Sequence, residues 1–194
     1  MNPTLKKDLL ELYRQFKEED AAKANRLDRW RNLEPESAAF ISILVRSQQS
    51  KWVLELGTSN GFSTLWLADA VTGTDGKLVS VEIDKNRTEL AEKHLSRFRL
   101  LTAVELITAD AKDYLATAEA IFDLIFLDAE RSSYVAYWPH LRRLLTQKGA
   151  LLIVDNVLSH KNEVASFISL IEQEAGFVFS IVPLGAGLLL VTKQ

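Results

Sequence analysis

Val53-Leu54-Glu55-Leu56-Gly57-Thr58-Ser59-Asn60-Gly61-Phe62-Ser63-Thr64 joins an apolar run to a helical pattern through a loop bounded by two glycines. Trp52–Leu56 has the length and apolar character of a buried strand, and Gly61–Ala70 has helical spacing. Strand, tight loop and helix in this order form the opening unit of a parallel α/β sheet. Glycine lets the backbone turn sharply and approach a ligand closely. The loop is not Gly-x-Gly-x-x-Gly, because Ser59 occupies the second glycine position. A pyrophosphate-binding loop, and with it a nicotinamide-dependent dehydrogenase, therefore loses ground.

Downstream the same alternation repeats. Apolar runs at Lys77–Val81, Val104–Thr108, Phe122–Leu127 and Ala150–Val154 predict strands, separated by helical patterns at Lys85–Phe98, Lys112–Ala118 and Tyr134–Thr146. Runs that are nearly continuous in Val, Ile and Leu belong to strands buried on both faces. After a helix at about Lys161–Ala175, Phe177–Val182 and Leu188–Thr192 are joined only by Pro183-Leu184-Gly185-Ala186-Gly187. So short a link makes the last two strands antiparallel, since a parallel return needs a dozen or more residues. The expectation is a Rossmann-like, doubly wound α/β fold with seven strands. Its sheet is mostly parallel, ends in an antiparallel hairpin and carries helices on both faces.

Upstream, residues 4 to 31 place Leu5, Leu9, Tyr13 and Phe16 at helical spacing and read as one or two amphipathic helices. Pro35 suits the first turn of a further helix running to about Arg46. The chain of 194 residues thus reads as a single domain, with a helical region at 1–48 and the α/β core at 51–194. Apolar residues make up 47% and charged residues 25%, an ordinary globular balance. Without cysteine there is no disulfide, thiolate ligand or cysteine nucleophile. No stretch approaches the roughly 20 apolar residues of a membrane span, and the charged N-terminus lacks a signal-peptide pattern. No membrane partner and a cytoplasmic location are the expectation. The formal charge of -3 is dispersed and gives no electrostatic case for a duplex nucleic acid, leaving open an RNA end or loop on a local patch.

In open α/β sheets, ligands bind beyond the carboxyl ends of the strands. Here those ends read Glu55-Leu56-Gly57, Glu82-Ile83-Asp84, Asp110-Ala111, Asp128-Ala129-Glu130 and Asp155-Asn156. Carboxylates crowded on one rim raise one another's pKa unless a cation or hydrogen-bond donor sits among them. A ligand with cationic groups and ribose hydroxyls meets that need, and a divalent metal meets more of it. Glu82, 21 residues past Gly61, is placed to accept hydrogen bonds from a ribose. Asp84 and Asp110 read equally well as helix N-caps, and Asp113 and Asp123 as surface or turn residues.

The stretch Val53 to Thr64 resembles the first motif of the class I, cation-dependent O-methyltransferases, the catechol and caffeoyl-CoA O-methyltransferase-like family. Glu55, Gly57, Gly61 and Ser63 match that motif position by position, with Phe62 standing for a tyrosine. The resemblance extends over about residues 33 to 193 and includes the terminal hairpin. It implies that S-adenosylmethionine (SAM) binds at Glu55, Gly57, Ser59, Gly61, Ser63, Glu82, Ile83, Asp110, Ala111 and Asp128. The segments ending Asp128-Ala129 and Asp155-Asn156 resemble the family's two metal motifs. They imply a divalent cation (Mg²⁺, Mn²⁺ or Ca²⁺) on Asp128, Asp155 and Asn156, a donor set that suits a hard ion. The alternative is that Asp155 and Asn156 cap the next helix.

The implied reaction is methyl transfer to a hydroxyl of a small, catechol-like acceptor, with Asp128 at its centre. Three departures stand out. Arg131 occupies the place of the family's lysine base, and arginine does not deprotonate in proteins. It suits stabilising an oxyanion, holding an acidic substrate, or simply opening a helix on the surface. Gly185-Ala186-Gly187 replaces the usual Gly-Asp-Gly. The N-terminal region and the segment after Asn156 are short for an enzyme gripping a coenzyme A ester. Among the histidines, His94 reads as solvated, His140 as structural and His160 as a candidate substitute base. Trp52 and Trp66 read as core, while Trp30 and Trp138 suit core or pocket equally. Two other functions remain in view: methylation of a hydroxylated tRNA base, and a SAM-binding protein with little catalysis. The resemblance also implies a homodimer.

Overall fold

The computed structural model describes every residue except Arg26, Leu27, Ala120 and Thr146. Its strands are β1 (Trp52–Leu56), β2 (Lys77–Glu82), β3 (Val104–Thr108), β4 (Leu124–Leu127), β5 (Leu151–Val154), β6 (Phe177–Val182) and β7 (Leu188–Lys193). Its helices are α1 (Pro3–Ala22), α2 (Pro35–Gln48), α3 (Phe62–Thr72), α4 (Lys85–Arg97), α5 (Ala111–Thr117), α6 (Tyr134–Leu144) and α7 (Lys161–Glu172). The seven strands form one sheet in the order β3-β2-β1-β4-β5-β7-β6. β1 to β5 pair in parallel, and β7 runs antiparallel between β5 and β6. This is the expected doubly wound sheet with its terminal hairpin. The end expected for α6, Thr146, lies outside the described residues. Among the described residues no helix is long and apolar enough to cross a membrane.

Strand alternation splits the core into two layers. Val53, Leu78, Leu124, Phe126 and Ile153 face α1, α2 and α3, while Leu54, Leu56, Ile125, Leu127, Leu152 and Val154 face α6 and α7. Residues 4 to 22 form one helix, whose Leu9, Leu12 and Phe16 are buried. Pro35 opens α2 as its position requires.

Four local expectations are corrected. Trp52 is half exposed, because it starts β1 at the rim of the sheet away from the strands' carboxyl ends. Asp123 is more than a turn residue. Its Oδ2 accepts the backbone N–H groups of Lys51 (2.6 Å) and Trp52 (2.9 Å), and its own N–H donates to the Trp52 carbonyl. That clamp starts β4 two residues later than the apolar run predicts. His94 is not simply solvated: its Nδ1 lies 2.7 Å from the Asn60 carbonyl, and its ring meets Phe16 edge-on. Asp155 and Asn156 do not cap α7, whose N-cap position is His160 with no side-chain cap bond.

Candidate active site

Register assembles the site. Ile107, Val81, Leu56, Leu127 and Val154 lie in one row across β3, β2, β1, β4 and β5. The next residue on each strand is Thr108, Glu82, Gly57, Asp128 and Asp155. Backbone bonds extend the row past the strand ends: Gly57 N donates to Val81 O, Asp128 N to Leu56 O and Asp155 N to Leu127 O. Neighbouring strands are roughly 4.8 Å apart, so the two aspartates stand side by side. The chain winds outward in opposite senses from β1 and β4, which makes this the switch point of the sheet, where ligands bind.

A cavity of about 810 Å³ opens there. Its floor carries Gly57, Thr58, Ser59, Ser63, Asp128 and Asp155. Glu82, Ile83, Asp110 and Ala111 line one side, while Arg131, Asn156 and His160 line another. Lys17, Asp20 and Ala21 of α1, together with the segment from Arg29 to Glu34, cover the remaining wall. Volume and lining suit a nucleoside-sized ligand with room for a second small molecule.

Of the residues singled out from sequence, Glu55 and Gly61 do not reach the cavity. Glu55 is fully buried beneath the loop, where three hydroxyls surround its carboxylate: Ser63 (2.5 Å), Thr64 (2.6 Å) and Ser80 (2.6 Å). Burial raises its pKa to about 7 even so, the hydroxyls pulling the other way. Gly61 instead lets α3 pack on α4, since a Cβ there would sit 2.8 Å from that of Ala91. Gly57 supplies the close approach: at φ 103° its missing Cβ would lie 2.2 Å from the Asp128 carbonyl oxygen. Glu82 accepts from the backbone N–H of Ser59 (2.7 Å) and of Asp84 (3.1 Å), tying the glycine loop to β2. Asp84 and Asp110 are N-caps of α4 and α5, and Asp110 lines the cavity as well.

Asp128, Asp155 and Asn156 do come together. The Asn156 amide Nδ2 donates to Asp128 Oδ1 (3.1 Å) and to Asp155 Oδ2 (2.8 Å). Asp155 Oδ1 is buried without a hydrogen-bond partner among the described residues. Burial first, then Asp155 and Glu55, push Asp128 well above the usual carboxylate range, against the pull of Arg131 and Arg31. Asp155 is raised to about 7 chiefly by burial, with Glu34 adding to it. Two adjacent carboxylates, a spare buried oxygen and an amide form a donor set that fits a hard divalent cation. Among the described residues no group of three or more His, Asp or Glu side chains is arranged to hold a metal, so such an ion here depends on the Asn156 amide and on water or acceptor oxygens. An amide's oxygen and nitrogen exchange places on a flip, which would turn Asn156 from donor to ligand.

Arg131 lies in a short 3₁₀ turn before α6, and its Nε donates to Glu163 Oε2 at 2.7 Å. His160 Nδ1 lies 2.8 Å from the Ser159 hydroxyl. The segment that carries these groups is held by the terminal hairpin: Val157 N donates to Gly187 O, and the N–H groups of Leu158 and Ser159 both donate to Ala186 O.

A profile of the O-methyltransferase family matches residues 8–193. The chain belongs to the O-methyltransferase family. It is 39% identical over 120 residues to a catechol O-methyltransferase of Mycobacterium tuberculosis, covering 61% of this chain and 54% of that one. It is 34% identical over 131 residues to the catechol O-methyltransferase of Niastella koreensis, covering 66% and 58%. The chain thus spans little more than half the length of these curated relatives. Among solved structures, cofactor-bound Rv0187 from MTB superposes with a TM-score of 0.81 at 27% identity, covering 96% of this chain and 89% of that one. An O-methyltransferase from Bacillus cereus in complex with SAH shares the fold with a TM-score of 0.79 at 24% identity, covering 100% and 92%. Membership in the O-methyltransferase family matches the sequence resemblance and the sheet.

Trp30, which suited core or pocket from sequence, lines the cavity; sequence reasoning missed the rest of the wall at residues 29 to 34, along with Arg87, Ser133 and Tyr137. The segment from Arg29 to Glu34 has no periodic pattern, and its place follows from Asp20, whose two carboxylate oxygens accept the N–H groups of Trp30 and Arg31. Tyr137 could have been found, since it lies one helical turn beyond Ser133, past the end of β4.

Proposed function

We propose that this chain transfers the methyl group of SAM to a hydroxyl of a small catechol-like acceptor, with a divalent cation on Asp128, Asp155 and Asn156. The observation that carries this reading is the pair of adjacent carboxylates on the cavity floor, both raised by burial, one with a buried oxygen that nothing among the described residues engages. Family membership and the cofactor-bound neighbours support the choice of SAM.

SAM supplies an electrophilic methyl on a sulfonium, and a divalent cation supplies a Lewis acid that lowers the pKa of a chelated hydroxyl. The chain's residues do the rest. Gly57 to Ser59 give the cofactor's amino-acid end a close backbone surface, and Glu82 offers its carboxylate to the ribose hydroxyls. Asp110, at the start of α5, would meet the base. The N-terminal wall, with Trp30 held by Asp20, screens the transfer from water and aligns acceptor with methyl, the orientation on which a displacement depends. Arg131 holds positive charge beside Asp128 and steadies an acceptor oxyanion without taking its proton. His160 lines the same side of the cavity as Arg131, and a chelated hydroxyl is acidic enough to lose its proton to water.

A direct assay tests the reading: methyl transfer from SAM to a neutral catechol with Mg²⁺, with and without chelator. Transfer that stops on chelation and returns with Mg²⁺ is expected. Transfer that survives complete chelation refutes the metal-assisted step. The ion pair between Arg131 and Glu163, at the place of the family's lysine, favours the second reading, a SAM-binding protein with little turnover. Tight SAM binding with no transfer to any catechol would select it.

A further inference from the structure

Among the described residues, the cavity's covering wall carries a cation for which the proposed function has no use. Arg31 lines the cavity and is exposed. The other arginines there have protein partners. Arg29 donates twice to the Lys23 carbonyl, Arg87 donates to Ser59 Oγ, and Arg131 pairs with Glu163. No such bond is made by the Arg31 guanidinium among the described residues. Yet its backbone is held in place. Its N–H donates to Asp20 Oδ2 at 2.9 Å, and its φ of 53° is left-handed, a conformation unfavourable for a residue with a long side chain. A strained, clamped backbone that presents an unpaired cation to a ligand cavity is the arrangement of a recognition arginine. The cation belongs to the acceptor end rather than the cofactor end, because the wall that carries it runs on to Glu34, which lies against Gly185 of the hairpin turn that holds the segment after Asn156.

Resting on the methyl-transfer reading, we propose that the acceptor carries a carboxylate, that Arg31 is the specificity-determining residue that pairs with it, and that the acceptor's vicinal hydroxyls lie at Asp128, Asp155 and Asn156. A guanidinium binds a carboxylate with two parallel hydrogen bonds, which fixes the ring's orientation as well as its charge. The acceptor class is therefore anionic catechols, in preference to neutral or cationic ones.

The test compares 3,4-dihydroxybenzoate with its uncharged amide, 3,4-dihydroxybenzamide. Calorimetric binding to the full chain with Mg²⁺ and S-adenosylhomocysteine is measured alongside kcat/KM with SAM. The wild type is expected to prefer the benzoate by about tenfold or more, the scale of one charge-assisted pair. Arg31→Gln is expected to erase that preference while leaving the amide within about threefold, and Arg31→Lys to keep part of it, since an ammonium lacks the planar fork. A wild type that does not prefer the benzoate, or an Arg31→Gln chain that weakens both ligands equally, overturns the proposal; equal weakening would make Arg31 only a counter-ion of Asp128. The two readings fail separately. Methylation of the amide without discrimination removes the role of Arg31 and keeps methyl transfer. Arg31-dependent binding of the benzoate with no turnover keeps the anion site and removes methyl transfer. Binding of neither ligand removes both.

Discussion

Two groups of acid lie within one row of strands, and the fold treats them in opposite ways. Glu55 on β1 is enclosed by the hydroxyls of Ser63, Thr64 and Ser80, with Thr58 bonded to Ser80 behind them. Two residues further along the strand direction, Asp128 and Asp155 share one amide between them and leave an oxygen without a partner among the described residues. A buried charge is tolerated when it is hydrogen-bonded, and a half-satisfied pair is costly. The first acid is complete within the protein, and it ties β1, β2 and α3 together beneath the loop. The second group is incomplete within the protein, and it faces the cavity. The difference separates an acid that builds the site from acids left open for what the site binds.

The largest effect is expected from removing the open group. Asp155→Ala is expected to lower the Mg²⁺-dependent transfer rate by about 100-fold or more, the scale of losing metal-held charge stabilisation, while SAM affinity changes little. Calorimetry with SAM beside initial rates over a Mg²⁺ series measures both, and unchanged turnover would place the open pair outside the chemistry.

The enclosed acid answers to pH instead. Glu55 ionises near 7 in the fold and near 4.5 when unfolded. Between those values the folded chain holds a proton that the unfolded chain lacks. Its contribution to stability is therefore greatest below 4.5 and falls as pH rises to 7, by roughly 3 kcal/mol in all. Glu55→Gln removes that slope. Urea unfolding from pH 5 to 8 is expected to show the wild type losing stability relative to the variant, and parallel curves would contradict the assignment.

A smaller effect tests what holds the open pair in position. Gly187 has φ 93°, and a Cβ there would lie 2.4 Å from Leu158 Cγ, on the segment that follows Asp155 and Asn156. Gly187→Ala is expected to cost about 1–3 kcal/mol by thermal unfolding, through backbone strain and overpacking. Because that segment is displaced, the Mg²⁺ requirement is expected to rise as well. The smallest expected change belongs to His160→Ala. If chelation alone activates the hydroxyl, the rate at pH 8 falls by less than about threefold; a loss on the general-base scale of about 100-fold would make His160 the proton acceptor.

Much of this molecule was legible in its residues. The alternation of apolar runs with helical stretches marks five parallel strands, and the brevity of Pro183 to Gly187 forces the last pair to run antiparallel, because chain reach is a local constraint. Glu82, Asp128 and Asp155 could be nominated because each follows the last apolar residue of its strand, and strand ends in such sheets face ligands. Other features depended on distant parts of the chain. Whether Glu55 faced ligand or core turned on hydroxyls 8 to 25 positions away. The place of Arg31 turned on a carboxylate one helix earlier, and the support under Asn156 on carbonyls about 30 residues later. Periodicity and turn chemistry act between near neighbours and are written in the sequence. Burial, pairing of acids and the closing of a cavity wall arise only when remote segments pack, so the tertiary structure alone decides them.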